Sequence, residues 1–137
     1  MTQNLKDLPN HADSRGSIQA VLENCDIKSI SIINSKKGTE RATHRHLDIH
    51  WILITKGEIW IYERPADSEE CPKKIVLNVG DLHLTESNVS HTMYFNLDTE
   101  FLCFSDQPRD QENYEKNLVR LPVSLKSIYD AAPYQNG

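Results

Sequence analysis

Six histidines occur in this chain, and four of them fall in a pattern suited to metal ligation or proton transfer. His44 and His46 are separated by one residue, His50 follows shortly after, and His91 lies in a later segment. Neutral imidazole is the commonest metal ligand in proteins. Zinc, iron, copper, nickel and manganese all accept it. Four imidazoles complete a tetrahedral shell or leave open positions on an octahedral ion. An imidazole of suitable pKa also serves as a general base and acid.

In extended backbone, residues i and i+2 point to one face, so His44 and His46 present two imidazoles side by side. His50 joins them if the strand continues, or arrives on the neighbouring strand if the chain turns near Leu47-Asp48. His91 opens a later strand and closes the site from across the fold. A helix would also bring His46 and His50 together. Trp51 to Thr55 argues against it, being β-branched and aromatic, and no helix cap precedes Thr43. His11 and His83 lack such company. His83 alternates with Leu82 and Leu84 and so faces opposite to them.

The elements that must position these side chains are strands. Ser17 to Leu22 and Ile27 to Ile33 are short runs rich in Ile and Val. Trp51-Ile52-Leu53-Ile54-Thr55 turns through Lys56-Gly57 into Glu58-Ile59-Trp60-Ile61-Tyr62, a hairpin pattern. A polar loop from Pro65 to Pro72 leads to Ile75–Val79. Gly80-Asp81 turns the chain into Leu82–Thr85. His91–Asn96 and Phe101–Ser105 form a last hairpin around Asp98-Thr99. Such spacing predicts an all-β sandwich or barrel. Residues 1–137 read as one domain, with a barrel core at about 13–106 and a C-terminal extension at 107–137. Within that extension Ser124 caps a short helix that carries Leu125, Ile128, Tyr129 and Ala132 on one face and ends at Pro133.

Composition narrows the partners. The chain has 137 residues, 38% of them hydrophobic and 26% charged, which suits one globular domain. Its net charge is −5, and Lys36-Lys37 and Lys73-Lys74 are isolated pairs. That disfavours nucleic acid and anionic membranes. The amino terminus has no apolar signal region, and no apolar run approaches the ~20 residues of a membrane span. Cys25, Cys71 and Cys103 are odd in number and far apart, which points to a reducing, cytoplasmic location. Cys103 reads as a buried small hydrophobe.

Residues 38–96 resemble the two signature motifs of the cupin superfamily. In G-x5-H-x-H-x3-4-E-x6-G, Gly38, His44, His46 and Gly57 fall in register, with His50 at the glutamate position. In G-x5-P-x-G-x2-H-x3-N, Gly80 and His91 fall in register, while Glu86, Asn88 and Phe95 replace the proline, glycine and asparagine. The resemblance implies a single double-stranded β-helix, a jelly-roll barrel of the RmlC type. It also implies His44, His46, His50 and His91 as ligands of one divalent transition metal ion, whether zinc, iron, nickel or manganese. With His50 in place of a glutamate, the site has one negative charge fewer.

A narrower resemblance is to cupins that act on nucleotide sugars. Asp13-Ser14-Arg15-Gly16 is similar to the D-x-R-G signature of dTDP-4-dehydrorhamnose 3,5-epimerases and dTDP-4-keto-sugar 3,4-ketoisomerases. Both groups place an arginine three residues before the active histidine, as Arg41 precedes His44. Ala42 stands where they usually have glycine. The ketoisomerases also carry His-x-His and need no metal. This likeness implies an isomerase or epimerase of polysaccharide biosynthesis, with His44 or His46 as acid and base. Arg41, and Arg15 from the same or a neighbouring chain, would hold the substrate diphosphate. Tyr62 or Tyr94 would donate a proton. A metal at the histidines would polarise the carbonyl.

The fold hosts other chemistries, so two further readings stand beside this one. They are a metal-dependent oxygenase or lyase on another small molecule, and a non-catalytic sugar-binding module. Exposed edge strands in small jelly rolls often pair between copies, so a homodimer is expected.

Overall fold

The computed structural model describes residues 1–116 and 118–132. Alternating side chains and β-branched runs become twelve strands. They are β1 (Thr2–Asn4), β2 (His11–Asp13), β3 (Gly16–Ile18), β4 (Ser29–Ser35), β5 (Glu40–His46) and β6 (His50–Lys56). The rest are β7 (Glu58–Pro65), β8 (Lys73–Asn78), β9 (Asp81–Thr85), β10 (Val89–Phe95), β11 (Thr99–Ser105) and β12 (Leu118–Arg120). Two short helices, α1 (Gln111–Lys116) and α2 (Leu125–Ala131), lie near the C-terminus.

Two five-stranded antiparallel sheets form the body, ordered β1-β9-β6-β11-β4 and β12-β5-β10-β7-β8. From β4 onward successive strands cross from one sheet to the other, except that β7 and β8 pair within one sheet, the jelly-roll arrangement that the cupin resemblance implied. The core lies between them and includes Ile52, Ile54, Ile59, Ile61, Leu77, Phe95 and Phe101. Each such side chain contributes about 1.5–3 kcal/mol by leaving water. Phe95 stacks on Phe101 with ring centroids 5.9 Å apart.

The turn between β6 and β7 depends on Gly57, at φ +88°. A Cβ there would overlap the Asp98 carbonyl and Thr99. Only glycine meets both demands.

Several boundaries differ from the sequence reading. The sheets begin before residue 13, because β1 pairs with β9 through Thr2↔His83 and Asn4↔Asp81. They also continue past residue 106, because β12 pairs with β5. Strands of three residues are too short to show a period. The expected strand at Ser17–Leu22 shrinks to the end of an exposed hairpin, β2–β3. Ser124 precedes α2 but makes no side-chain cap; its hydroxyl donates to Glu40 Oε1 at 2.7 Å. Leu125 is buried and Tyr129 packs against Tyr62, as the helical face required. Pro133 lies outside the described residues.

Candidate active site

His44 and His46 extend inward from β5, and His91 extends inward from β10 opposite them, with His91 paired to His44. The three rings are mutually edge-on, with centroids 5.2 Å (44 to 46), 4.7 Å (44 to 91) and 4.9 Å (46 to 91) apart. All three are buried. One nitrogen from each lies within 4.8 Å of the others.

A β-bulge aims this cluster. His91 pairs with His44, but Thr92 pairs with Ala42, so Thr43 is the extra residue. Ala42 and Thr43 both adopt left-handed backbone, at φ 72° and 58°. Arg41 and His44 are an odd number of residues apart, so in a regular strand they would face opposite ways. The bulge turns both toward one cavity. The left-handed conformation at Ala42 falls at the position where the resembling families carry glycine.

Asp48, a residue the sequence reading passed over, organises the other half of the site. Its Oδ1 lies 2.9 Å from His46 Nδ1, which donates to the Asp48 backbone carbonyl at 3.1 Å, and its Oδ2 accepts from His50 Nε2. Ser105 Oγ donates to Oδ2 at 3.0 Å. Burial works to raise the Asp48 pKa, but the hydrogen bonds and charges of His46 and His50 overcome it and hold the carboxyl far below the usual range. An ionised carboxylate only accepts, so His46 carries its proton on Nδ1. Its Nε2, which holds the lone pair in the neutral ring, is buried and without a hydrogen-bond partner. His50 stacks on His46 at 4.2 Å, and its Nδ1 lies 3.6 Å from Cys103 Sγ.

The four imidazoles therefore divide into two overlapping groups. His44, His46 and His91 form one possible ligand set; His46, Asp48 and His50 form another. His50 lies across the turn at Leu47-Asp48 and is engaged by a carboxylate.

A cavity of about 280 Å³ opens beside this cluster. Its polar lining includes His44, His50 and His91, with Arg41, Arg109, Arg120 and Glu40. Its apolar lining includes Ile33, Ile52, Met93, Phe101 and Cys103. His44 is pushed down to about 3, first by burial and then by the charges of His46, His50 and Arg120, against a weaker pull from Asp48. Burial, His44 and His46 hold His91 well below its ordinary value. Both rings are neutral at neutral pH. Burial pushes the Cys103 thiol up to about 11, so it stays protonated.

The expected substrate contacts separate. Arg41 reaches the cavity, fixed by Nε donating to Ser35 Oγ at 2.6 Å and Nη2 donating to the Asn34 carbonyl at 3.0 Å. Arg15 does not reach it. Its side chain is 88% exposed on the β2–β3 hairpin and pairs with Asp13 Oδ2 at 2.7 Å. Asp13 Oδ1 also accepts from the Arg15 amide, the local turn that Asp and Gly favour. Tyr62 and Tyr94 face away from the cavity. On β10 and β7, His91 pairs with Glu63 and Met93 with Ile61, whereas Thr92 pairs with Tyr62 and Tyr94 with Trp60. Strand alternation puts both tyrosines on the outer face. Tyr62 packs there against Tyr129 of α2, and Tyr94 packs against Trp60. His83 does face opposite to Leu82 and Leu84, and it is fully buried. It bonds Glu63 Oε1 and Thr2 Oγ1, each at 2.7 Å.

Asp48 had a signal in the sequence: it stands two residues from both His46 and His50. Arg120 had none, since its strand is short and its place beside His44 comes from pairing across the chain.

No protein-family model matches the sequence, and neither does any curated protein. Similarity appears in solved structures. The TDP-fucose-3,4-ketoisomerase WlaRA of Campylobacter jejuni superposes with a TM-score of 0.69 at 16% identity, covering 95% of this chain and 93% of that one. The sugar 3,4-ketoisomerase QdtA of Thermoanaerobacterium thermosaccharolyticum, in complex with TDP, gives 0.68 at 18% identity, over 96% and 93%. The RmlC epimerase of Mycobacterium tuberculosis gives 0.71 at 11% identity, over 99% and 75%. Two apposed antiparallel sheets with histidines converging between them, superposing on these enzymes over nearly the whole chain, give this protein the RmlC-like cupin jelly-roll fold.

Proposed function

We propose that this chain is an isomerase or epimerase acting on a keto-sugar nucleotide in polysaccharide biosynthesis. The observation that carries the reading is the cavity itself. The neutral imidazoles of His44 and His91 and three guanidiniums line it together with apolar side chains. A neutral imidazole takes a proton, and guanidiniums hold an anionic ligand. The solved neighbours named 3,4-ketoisomerases and epimerase share the fold, and QdtA was solved with TDP.

Moving a ketone, or inverting its α-carbon, requires loss of an α-proton and formation of an enolate. His44 lies on the cavity wall in neutral form and is the group that accepts the proton. The Asp48 charge favours the imidazolium that results. The imidazolium proton exchanges with water, and a proton is then returned to the neighbouring carbon or to the opposite face of the original one. Arg41 holds the diphosphate. His46, kept in one tautomer by Asp48, supports His44 from behind.

The donor set also fits a divalent transition metal ion. His46 Nε2 is buried without a hydrogen-bond partner, and His44 and His91 offer nitrogens within 4.8 Å. A bound ion would act as a Lewis acid toward the ketone. The same fit supports the second reading, a metal-dependent oxygenase or lyase.

The test is incubation with dTDP-4-keto-6-deoxyglucose and related keto-sugar nucleotides in deuterated water. Incorporation of deuterium at the carbon next to the ketone is expected. Absence of exchange with every keto-sugar nucleotide tried rejects the isomerase reading.

A further inference from the structure

The segment after β11 brings two arginines to the cavity that no motif marks. Arg109 lies between β11 and α1, and Arg120 ends β12. Both line the cavity. Arg120 pairs in register with His44 across the β12–β5 ladder, and the Leu121 amide donates to the Thr43 carbonyl at 3.0 Å. This edge strand therefore fixes Arg120 beside the bulge. Arg41 lies on β5 three residues before His44, held to β4 through Ser35 and Asn34.

The charge balance here runs against that of the whole chain. The protein carries −5 overall, yet three guanidiniums meet one carboxylate, Glu40, on this wall. Glu40 is turned toward Ser124, whose hydroxyl donates to it at 2.7 Å. Arg120 has a carboxylate partner at 2.8 Å, Glu115, but the pair is largely exposed, with side chains 65% and 45% accessible. Such a pair is weak and exchanges readily for a doubly charged anion. The positive ends of both arginines are felt inside: Arg120 acts on His44 and Arg109 on Cys103.

We propose that Arg109 and Arg120 form a phosphate subsite of the cavity, so that the segment after β11 supplies part of the ligand clamp. For the ligand's chemical class, a nucleoside diphosphate, the proposal rests on the sugar-nucleotide reading above. A phosphate bridging Arg120 and Arg41 would flank His44 and direct the attached sugar toward it. The guanidinium fork suits phosphate oxygens better than a lysine would.

Calorimetric titration of TDP and of inorganic diphosphate tests this. TDP binding is expected to weaken about tenfold or more in Arg109→Ala and in Arg120→Ala, the loss of roughly one charge-assisted contact each. Arg64→Ala, on the far side of β7, serves as the charge control and is expected to bind as the wild type does. Glu115→Gln frees Arg120 and is expected to tighten binding, an effect that damage to the fold would not produce. Arginine-dependent binding of inorganic diphosphate without any TDP binding upholds the subsite and rejects the nucleotide ligand. Unchanged TDP affinity in both arginine variants overturns the subsite and leaves the sugar-nucleotide reading standing. Failure of the wild type to bind either probe overturns both.

Discussion

The His46 Nδ1 lies 2.9 Å from Asp48 Oδ1 and donates to the Asp48 carbonyl at 3.1 Å, so one residue two positions along the chain fixes a proton on that nitrogen. The same carboxylate holds His50, and one short turn thereby orients two imidazoles. Asp48→Asn keeps the shape and removes the negative charge. The amide also has a donor group, which admits the wrong tautomer of a neighbouring ring. Turnover is expected to fall by about two orders of magnitude or more, as for loss of an orienting partner in acid–base catalysis. The rate of solvent deuterium incorporation measures it. A variant with near wild-type exchange would remove Asp48 from the mechanism.

Stability should decline as the solution is acidified from neutral. His44 and His91 are buried in neutral form with depressed pKa values, His44 at about 3. The unfolded chain takes up protons near pH 6.5 that the folded chain does not bind. Their contribution is complete above that pH and is lost progressively as pH falls toward 3. Asp48, also depressed, adds a second loss below the ordinary carboxylate range near 4. Urea midpoints of metal-stripped protein should fall between pH 7.5 and pH 5, and His44→Gln should flatten that slope.

Ala42→Gly is expected to stabilise the fold. Left-handed backbone costs a residue with a Cβ about 1–2 kcal/mol, whereas glycine's extra freedom in the unfolded chain costs about 0.5–1 kcal/mol. With Ala42 at φ 72°, the balance favours glycine by up to about 1 kcal/mol. A higher urea midpoint with an unchanged slope is the expected signature.

Metal uptake should depend on the three clustered imidazoles more than on His50. Protein purified without a chelating tag is expected to take up about one equivalent of a transition metal. His46→Ala or His91→Ala should abolish uptake. His50→Ala should retain part of it, because His50 groups with Asp48 and not with His44 and His91. Equal loss in all three variants would restore a four-histidine shell.

The outer face of the first sheet carries Ile30 and Ile32, 64% and 67% exposed, alongside Leu102 and Phe104 of β11. We expect a second copy to cover this face. Sedimentation should report a dimer for the wild type, and Ile32→Glu should shift it to monomer.

Strand alternation made much of this legible in advance. His44 and His46 share a face because they are two residues apart, and His83 opposes its leucine neighbours for the same reason. The same rule counts against the expected proton donor Tyr94, which is an odd number of residues from His91 and faces away from the site. Within its own chain Arg15 stays outside the cavity, because the D-x-R-G string satisfies itself locally through an ion pair and an Asx turn.

By itself the sequence determined the local patterns: which runs extend, where Gly57 must turn the chain, and which histidines can stand together on one strand. Those depend on backbone sterics and a two-residue period, both local. Tertiary structure decided the rest. The bulge at Ala42-Thr43 exists only relative to the partner strand, and it is what turns Arg41 and His44 to one side. Asp48 became an orienting group only when the turn brought His50 back beside His46. Arg120 reached His44 only through a pairing between strands more than seventy residues apart in the chain. Contacts of that kind follow from how the sheets close, and no window of neighbouring residues contains them.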